Sequence, residues 1–129
     1  MKNLPHDYTN LVPTIMDVEQ IYTYLDELII FAKTGNYDAF EVCEAFCELI
    51  QVRQSDNYCS PKAEYALEVF NILTSYWPEK EEHLDSYLTV LLNLGLDLNV
   101  RKYLDDKLKG NMKPYETALI QEIFNELQA

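Results

Sequence analysis

Glycine is the scarcest structural residue here: only Gly35, Gly95 and Gly110 occur in 129 residues. Folds rich in β-turns need many more, and neither a Walker-type loop nor a GxGxxG stretch is present. The sequence therefore argues against a sheet-based fold and against a phosphate-cradling nucleotide site. Basic residues are also few, with 10 Lys and Arg against 22 Asp and Glu and a formal net charge of −12. A surface of that sign repels nucleic acid and anionic membranes, so neither is expected as a partner. No apolar run approaches the roughly 18 residues of a membrane span; Leu28-Ile29-Ile30-Phe31-Ala32 is typical of the longest. The first residues carry no apolar signal-like region. The three cysteines are an odd count, which points to free thiols, a reducing compartment and a cytoplasmic protein.

What is present is apolar periodicity. Hydrophobic residues make up 48% of the chain and charged ones 25%, the balance of a folded domain. Residues 1–129 are expected to form a single all-α domain with an irregular arm over 1–13. About six helices follow, starting near residues 14, 37, 61, 79, 99 and 114. Thr14 is the expected N-cap of the first and Gly35 its left-handed stop. Its inward stripe is Val18, Ile21, Tyr22, Leu25, Leu28 and Ile29. The second helix puts Phe40, Cys43, Phe46, Cys47 and Ile50 on a core face, with Asp38, Glu41, Glu44 and Glu48 opposite. Ser60-Pro61 opens the third, with Ala66, Val69, Phe70 and Leu73 inward and Glu64, Glu68 and Asn71 outward. The fourth buries Leu84, Tyr87, Leu88, Leu91 and Leu92. The fifth buries Val100, Tyr103, Leu104 and Leu108; the sixth, from Pro114, buries Leu119, Ile123 and Leu127. The starts pair into three hairpins. Alternate starts about 38–47 residues apart fit either an irregular bundle or a short HEAT-like array.

Charge is uneven along the chain. From Asp17 to Asp85 there are 15 acidic and 4 basic residues; from Asp97 to Lys113 there are 3 acidic and 5 basic. The anionic surface therefore belongs to the first four helices. Carboxylates in a spread stripe lack the asymmetric pairing of a glycosidase cleft. They suit a solvated face or a surface offered to lysine and arginine. Cys43 and Cys47 read as buried apolar residues, with no zinc-site spacing around them, and Cys59 as the exposed thiol without a base. His83 sits beside Glu81 and Glu82, but the residue three before it is Lys80, so a di-iron Glu-x-x-His motif is absent and His83 reads as a solvated helix edge. No catalytic residues, metal or cofactor are expected. The ten tyrosines are unusual in number. Tyr24 and Phe31 fall off the first stripe, and Tyr37 and Tyr58 lie at loops, where aromatics serve either packing or interface anchoring.

The acidic stripe Asp38 to Glu48, the Glu79–Asp85 cluster and the off-stripe tyrosines resemble, in size, acidity and helix pattern, the small immunity proteins of bacterial toxin–immunity systems. The resemblance implies a non-catalytic inhibitor that blocks the cleft of a basic toxin domain, a nuclease among the candidates. The partner-binding set expected on that reading is Asp17, Tyr24, Glu27, Tyr37, Asp38, Glu41, Glu44, Glu48, Glu81 and Glu82. The alternative is a helical scaffold that binds a peptide or helix in a groove between hairpins. A homo-oligomeric contact through the tyrosines is a third use of the same surface.

Overall fold

The structure is a computed structural model that describes residues 2–15, 17–55 and 63–127, with the side chains of residues 18, 51–55, 63 and 64 set aside. The expected roles of Tyr58, Cys59, Ser60 and Pro61, and of the Val18 and Glu64 side chains, lie outside the described residues. The chain is all-α. Its helices are α1 (Tyr8–Leu11), α2 (Val18–Lys33), α3 (Ala39–Ser55), α4 (Ala63–Leu73), α5 (Glu81–Leu92), α6 (Asp97–Leu108) and α7 (Pro114–Glu126). Among the described residues there is no strand, and no helix is long and apolar enough to cross a membrane.

Local chemistry sets most boundaries. Asp17, not Thr14, caps α2: its carboxylate accepts from the Glu19 amide at 2.9 Å. Thr14 instead closes a 3-10 turn over Val12–Thr14 and donates its hydroxyl to the Leu11 carbonyl. Gly35 ends α2 with φ +73°, a conformation that costs a side-chain-bearing residue steric strain. Asp38 accepts from the Glu41 amide at 3.0 Å and starts α3. Pro114 takes the first position of α7, and Glu116 reaches back to the Lys113 amide at 2.7 Å.

The arm is the first correction. Residues 8–14 are helical, and Tyr8, Val12 and Ile15 are buried in the core. Their spacing brings all three to one face, which packs on α3. The Lys2 amide also donates to the Asn36 carbonyl at 3.0 Å, tying the arm to the end of α2.

One core joins all the elements: Ile21, Leu25 and Leu28 from α2, Val42, Phe46 and Leu49 from α3, Val69 and Leu73 from α4, Leu84, Leu88 and Leu91 from α5, then Val100, Leu104 and Ile120. The three-hairpin pairing does not carry through the middle of the chain. Helix α4 leans on α2 and α3, while α5 packs on α3 and, most extensively, on α7. Helices α3 and α5 thus form the centre of an irregular bundle. A side chain on either one faces neighbours that are distant in sequence.

Candidate functional site

Helix α3 is covered on more than one side, and this decides the site. Val42, Ala45, Phe46, Leu49 and Ile50 are its buried face. Phe40, expected in the core, is 38% exposed. Glu44 follows Phe40 by one helical turn, Glu48 follows Glu44 by another, and Cys47 follows Cys43 likewise. The expected segregation of acids from the apolar face therefore fails. Glu44 and Glu48 are half-buried beside Phe40 and Cys47, not opposite them.

Where α3 meets α5 a cavity of about 330 Å³ opens to the surface. Helix α3 supplies Phe40, Cys43, Glu44, Cys47 and Glu48. The segment before α5 adds Tyr76 and Pro78, and α5 adds His83, Ser86 and Tyr87. Phe40 stands edge-on to His83 at 5.0 Å between ring centroids and to Tyr76 at 6.2 Å. It also borders a smaller depression formed with Leu4, His6, Asp7, Tyr8 and Thr9, which shares Glu44 and Glu48. One exposed aromatic ring therefore separates two hollows walled by the same two carboxylates.

His83 is the second correction. It is no solvated edge residue: its Nδ1 donates to Glu44 Oε1 at 2.7 Å across the helix interface. The carboxylate can only accept from the ring, so Nδ1 carries the proton. Glu81 and Glu82, its sequence neighbours, are exposed on another face of α5, around Asp85 and Leu119.

Burial around the cavity shifts its titrating groups. Burial pushes the Cys43 thiol up to about 12, with the Glu44 charge adding to it. Cys47, half-buried, is also pushed up to about 12, by burial first and then by Cys43, Glu44 and Glu48. Both thiols are thus protonated at neutral pH and are poor nucleophiles. Burial, then the Glu44 charge, raises the Glu48 carboxyl above its ordinary value. The Tyr76 phenol is raised by burial and by a field that includes Glu79, Asp38 and Glu44. Tyr87 is held well above the phenol range by burial and by Tyr103. Its hydroxyl lies 2.8 Å from the Leu73 carbonyl oxygen, 3.0 Å from that of Tyr76 and 3.0 Å from the Tyr103 hydroxyl. A carboxylate-held imidazole is a familiar proton carrier, but among the described residues no hydroxyl or thiol bonds to its other nitrogen. The cavity thus combines aromatic rings, two carboxylates, two protonated thiols and an imidazole.

The remaining expected binding residues have structural duties as well. Asp17 caps α2. Glu27 pairs with His6 Nε2 at 2.7 Å, and the half-buried Tyr24 meets the same imidazole edge-on at 5.0 Å. Tyr37 rests against Phe31 at 6.2 Å. Tyr8, in the arm itself, has a buried hydroxyl with no hydrogen-bond partner among the described residues. Burial and then the charges of Glu27 and Tyr24 push that phenol up to about 12. The fold brings Glu41, Glu44 and Glu48 together around Phe40, and His6 links this patch to Glu27 through the arm. Glu81 and Glu82 do not join it. The sequence reading put Phe40 in the core, did not place Tyr76 at a site and did not pair His83 with Glu44, although the one-turn spacing of Phe40 and Glu44 was a usable signal.

No known family model matches the chain, and neither a curated protein nor a solved structure does.

Proposed function

We propose that this chain is a non-catalytic binding protein that captures a cationic protein on its arm–α3–α5 face, acting as an inhibitor in the manner of an immunity protein against a basic toxin. One observation carries the reading. The cavity between α3 and α5 is walled by Glu44 and Glu48, and among the described residues no lysine or arginine lines it. The chain's basic cluster instead lies along α6, which contributes no residue to the cavity's lining. An unneutralised carboxylate surface of this kind raises encounter rates with cationic partners and disfavours anionic ones. A cleft-blocking inhibitor needs little more than such a surface and a few well-packed aromatic anchors. On this reading the protein acts in the cytoplasm of a bacterial cell.

The test is comparative capture. Wild-type protein and a Glu41→Lys/Glu44→Lys/Glu48→Lys variant are used as bait in the source lysate, beside Arg101→Glu/Lys107→Glu. A basic protein retained by wild type, lost with the α3 variant and kept with the α6 variant is the expected result. Retention should also fall steeply with salt. Capture that ignores α3 and depends on α6 would overturn the reading.

The position of the cavity between two helices supports a second reading, a scaffold that binds an isolated peptide or helix between α3 and α5. The two separate cleanly. A scaffold binds a short segment of its partner nearly as well as the folded partner, whereas a cleft-blocking inhibitor needs the folded partner.

A further inference from the structure

We propose that the cavity between α3 and α5 receives the side chain of one arginine presented by the cationic partner, an assignment that rests on the binding-protein reading above. Size comes first. About 330 Å³ is at the small end of the roughly 300–1,000 Å³ range of ligand pockets, suited to one long side chain rather than to a cofactor. The walls come second. Phe40 and Tyr76 offer rings at the mouth, Tyr87 lies deeper, and aromatic faces attract a partly desolvated cation. The charges come third. Glu44 and Glu48 stand one turn apart on α3, both half-buried. Glu44 already accepts from His83, while Glu48 has no ion-pair partner among the described residues. A cation between the two carboxylates would offset the burial and repulsion that now raise the Glu48 carboxyl.

On the α6–α7 side, aromatic rings meet the chain's own cations. Lys107 Nζ lies 5.0 Å from the Trp77 ring centre and 5.6 Å from that of Tyr103, and the Arg101 guanidinium lies 5.2 Å from Phe124. Those rings are covered by the chain's own cations. The α3–α5 cavity itself is lined by carboxylates and, among the described residues, by no lysine or arginine; Lys80 borders the adjoining hollow with Phe40, Tyr76 and His83.

Guanidinium suits the site better than the alternatives. It is planar, stacks on aromatic rings, is weakly hydrated, and spreads five N–H donors that can reach two carboxylates at once. An ammonium is a compact and more strongly hydrated point charge. A metal ion is disfavoured because, among the described residues, no three His, Cys, Asp or Glu side chains converge closely enough to hold one.

The experiment is a nuclear magnetic resonance titration of the full chain with three probes: Nα-acetyl-arginine methylamide, its neutral citrulline counterpart and its lysine counterpart. Saturable shifts confined to Phe40, Cys43, Glu44, Cys47, Tyr76 and His83 are expected with the arginine probe. The citrulline and lysine probes should bind about tenfold or more weakly, for want of a charge-assisted planar fork. Glu48→Gln should weaken the arginine probe while the circular dichroism spectrum stays native, which separates lost binding from lost folding. Equal binding of citrulline or lysine, shifts centred on α6, or no saturable shift at all would each overturn the assignment. If the arginine probe fails while a basic partner is still captured through the α3 carboxylates, only this inference falls. If capture ignores those carboxylates, the binding-protein reading falls with it.

Discussion

The α6–α7 side and the α3–α5 side of this molecule treat charge in opposite ways. On the first, charges are consumed within the fold. Glu116 is buried, yet it accepts from the Trp77 indole at 2.7 Å and from the Lys113 amide at 2.7 Å. Burial alone would raise its carboxyl. Those two hydrogen bonds, with the charges of Lys113 and Lys107, outweigh burial and leave it below the ordinary value. On the second side, Glu48 has burial and a like charge and nothing to offset them, so its carboxyl goes up. A carboxylate lowered by its surroundings contributes to stability; one raised by them detracts from it. Acid residues that weaken the free fold are where a partner's charge would be most welcome.

That contrast can be broken first at Glu116. Glu116→Ala should cost on the order of 2–3 kcal/mol at neutral pH, because it strands a half-buried indole N–H and removes a helix-start hydrogen bond. Urea unfolding measures it. The sign with pH is fixed: a lowered carboxyl contributes fully above the ordinary value of 4.5, and the contribution disappears as pH falls through the lower folded value. The gap between wild type and variant should therefore narrow in strong acid.

The next effect sits at the seam between the two sides. Tyr87→Phe removes the hydroxyl that meets the Leu73 and Tyr76 carbonyls and Tyr103. A loss of about 1–2 kcal/mol is expected, read from the same unfolding curves. A silent substitution would mean that the hydroxyl cluster does not hold α5 to the end of α4.

Glu48→Gln should move in the opposite direction, with a small rise in thermal midpoint at pH 7. Its folded carboxyl is raised from the ordinary 4.5, so the gain is present above the folded value and vanishes below the ordinary one. A fall in midpoint at neutral pH would contradict the contrast. Smallest of all is Lys109→Ala, which breaks an exposed pair with Asp106 at 3.7 Å; a change under about 0.5 kcal/mol is expected by calorimetry.

The helices were legible in the sequence because their signals are local. Gly35 at the end of α2, Pro114 at the start of α7 and the stripe Leu84, Leu88 and Leu91 each depend on a few neighbouring residues. The site was not legible, because it depends on which helices meet. Periodicity says that α3 has an apolar side; it does not say that α5, rather than the next helix in sequence, covers its edge. Assigning Phe40 to the core followed from averaging the apolar positions of α3 into one face. The burial of Val42 and Leu49 shifts the true centre of that face away from Phe40 and leaves Glu44 at the border. The arm was misread for another reason. The irregular arm was expected to close at Pro13, while the spacing of Tyr8, Val12 and Ile15, a helical signal across that proline, went unused.

The chain's single tryptophan turns the seam into an optical reporter. The Trp77 ring lies 5.9 Å from that of Tyr87, whose ring also lines the α3–α5 cavity, and its indole is held between the cation of Lys107 and the carboxylate of Glu116. Indole emission responds to the charges and dipoles around it. A guest that displaces Tyr87 would alter that local field without touching the tryptophan. Intrinsic fluorescence could then follow occupancy of the cavity in the unlabelled protein, with wavelength shifts marking motion of Tyr87.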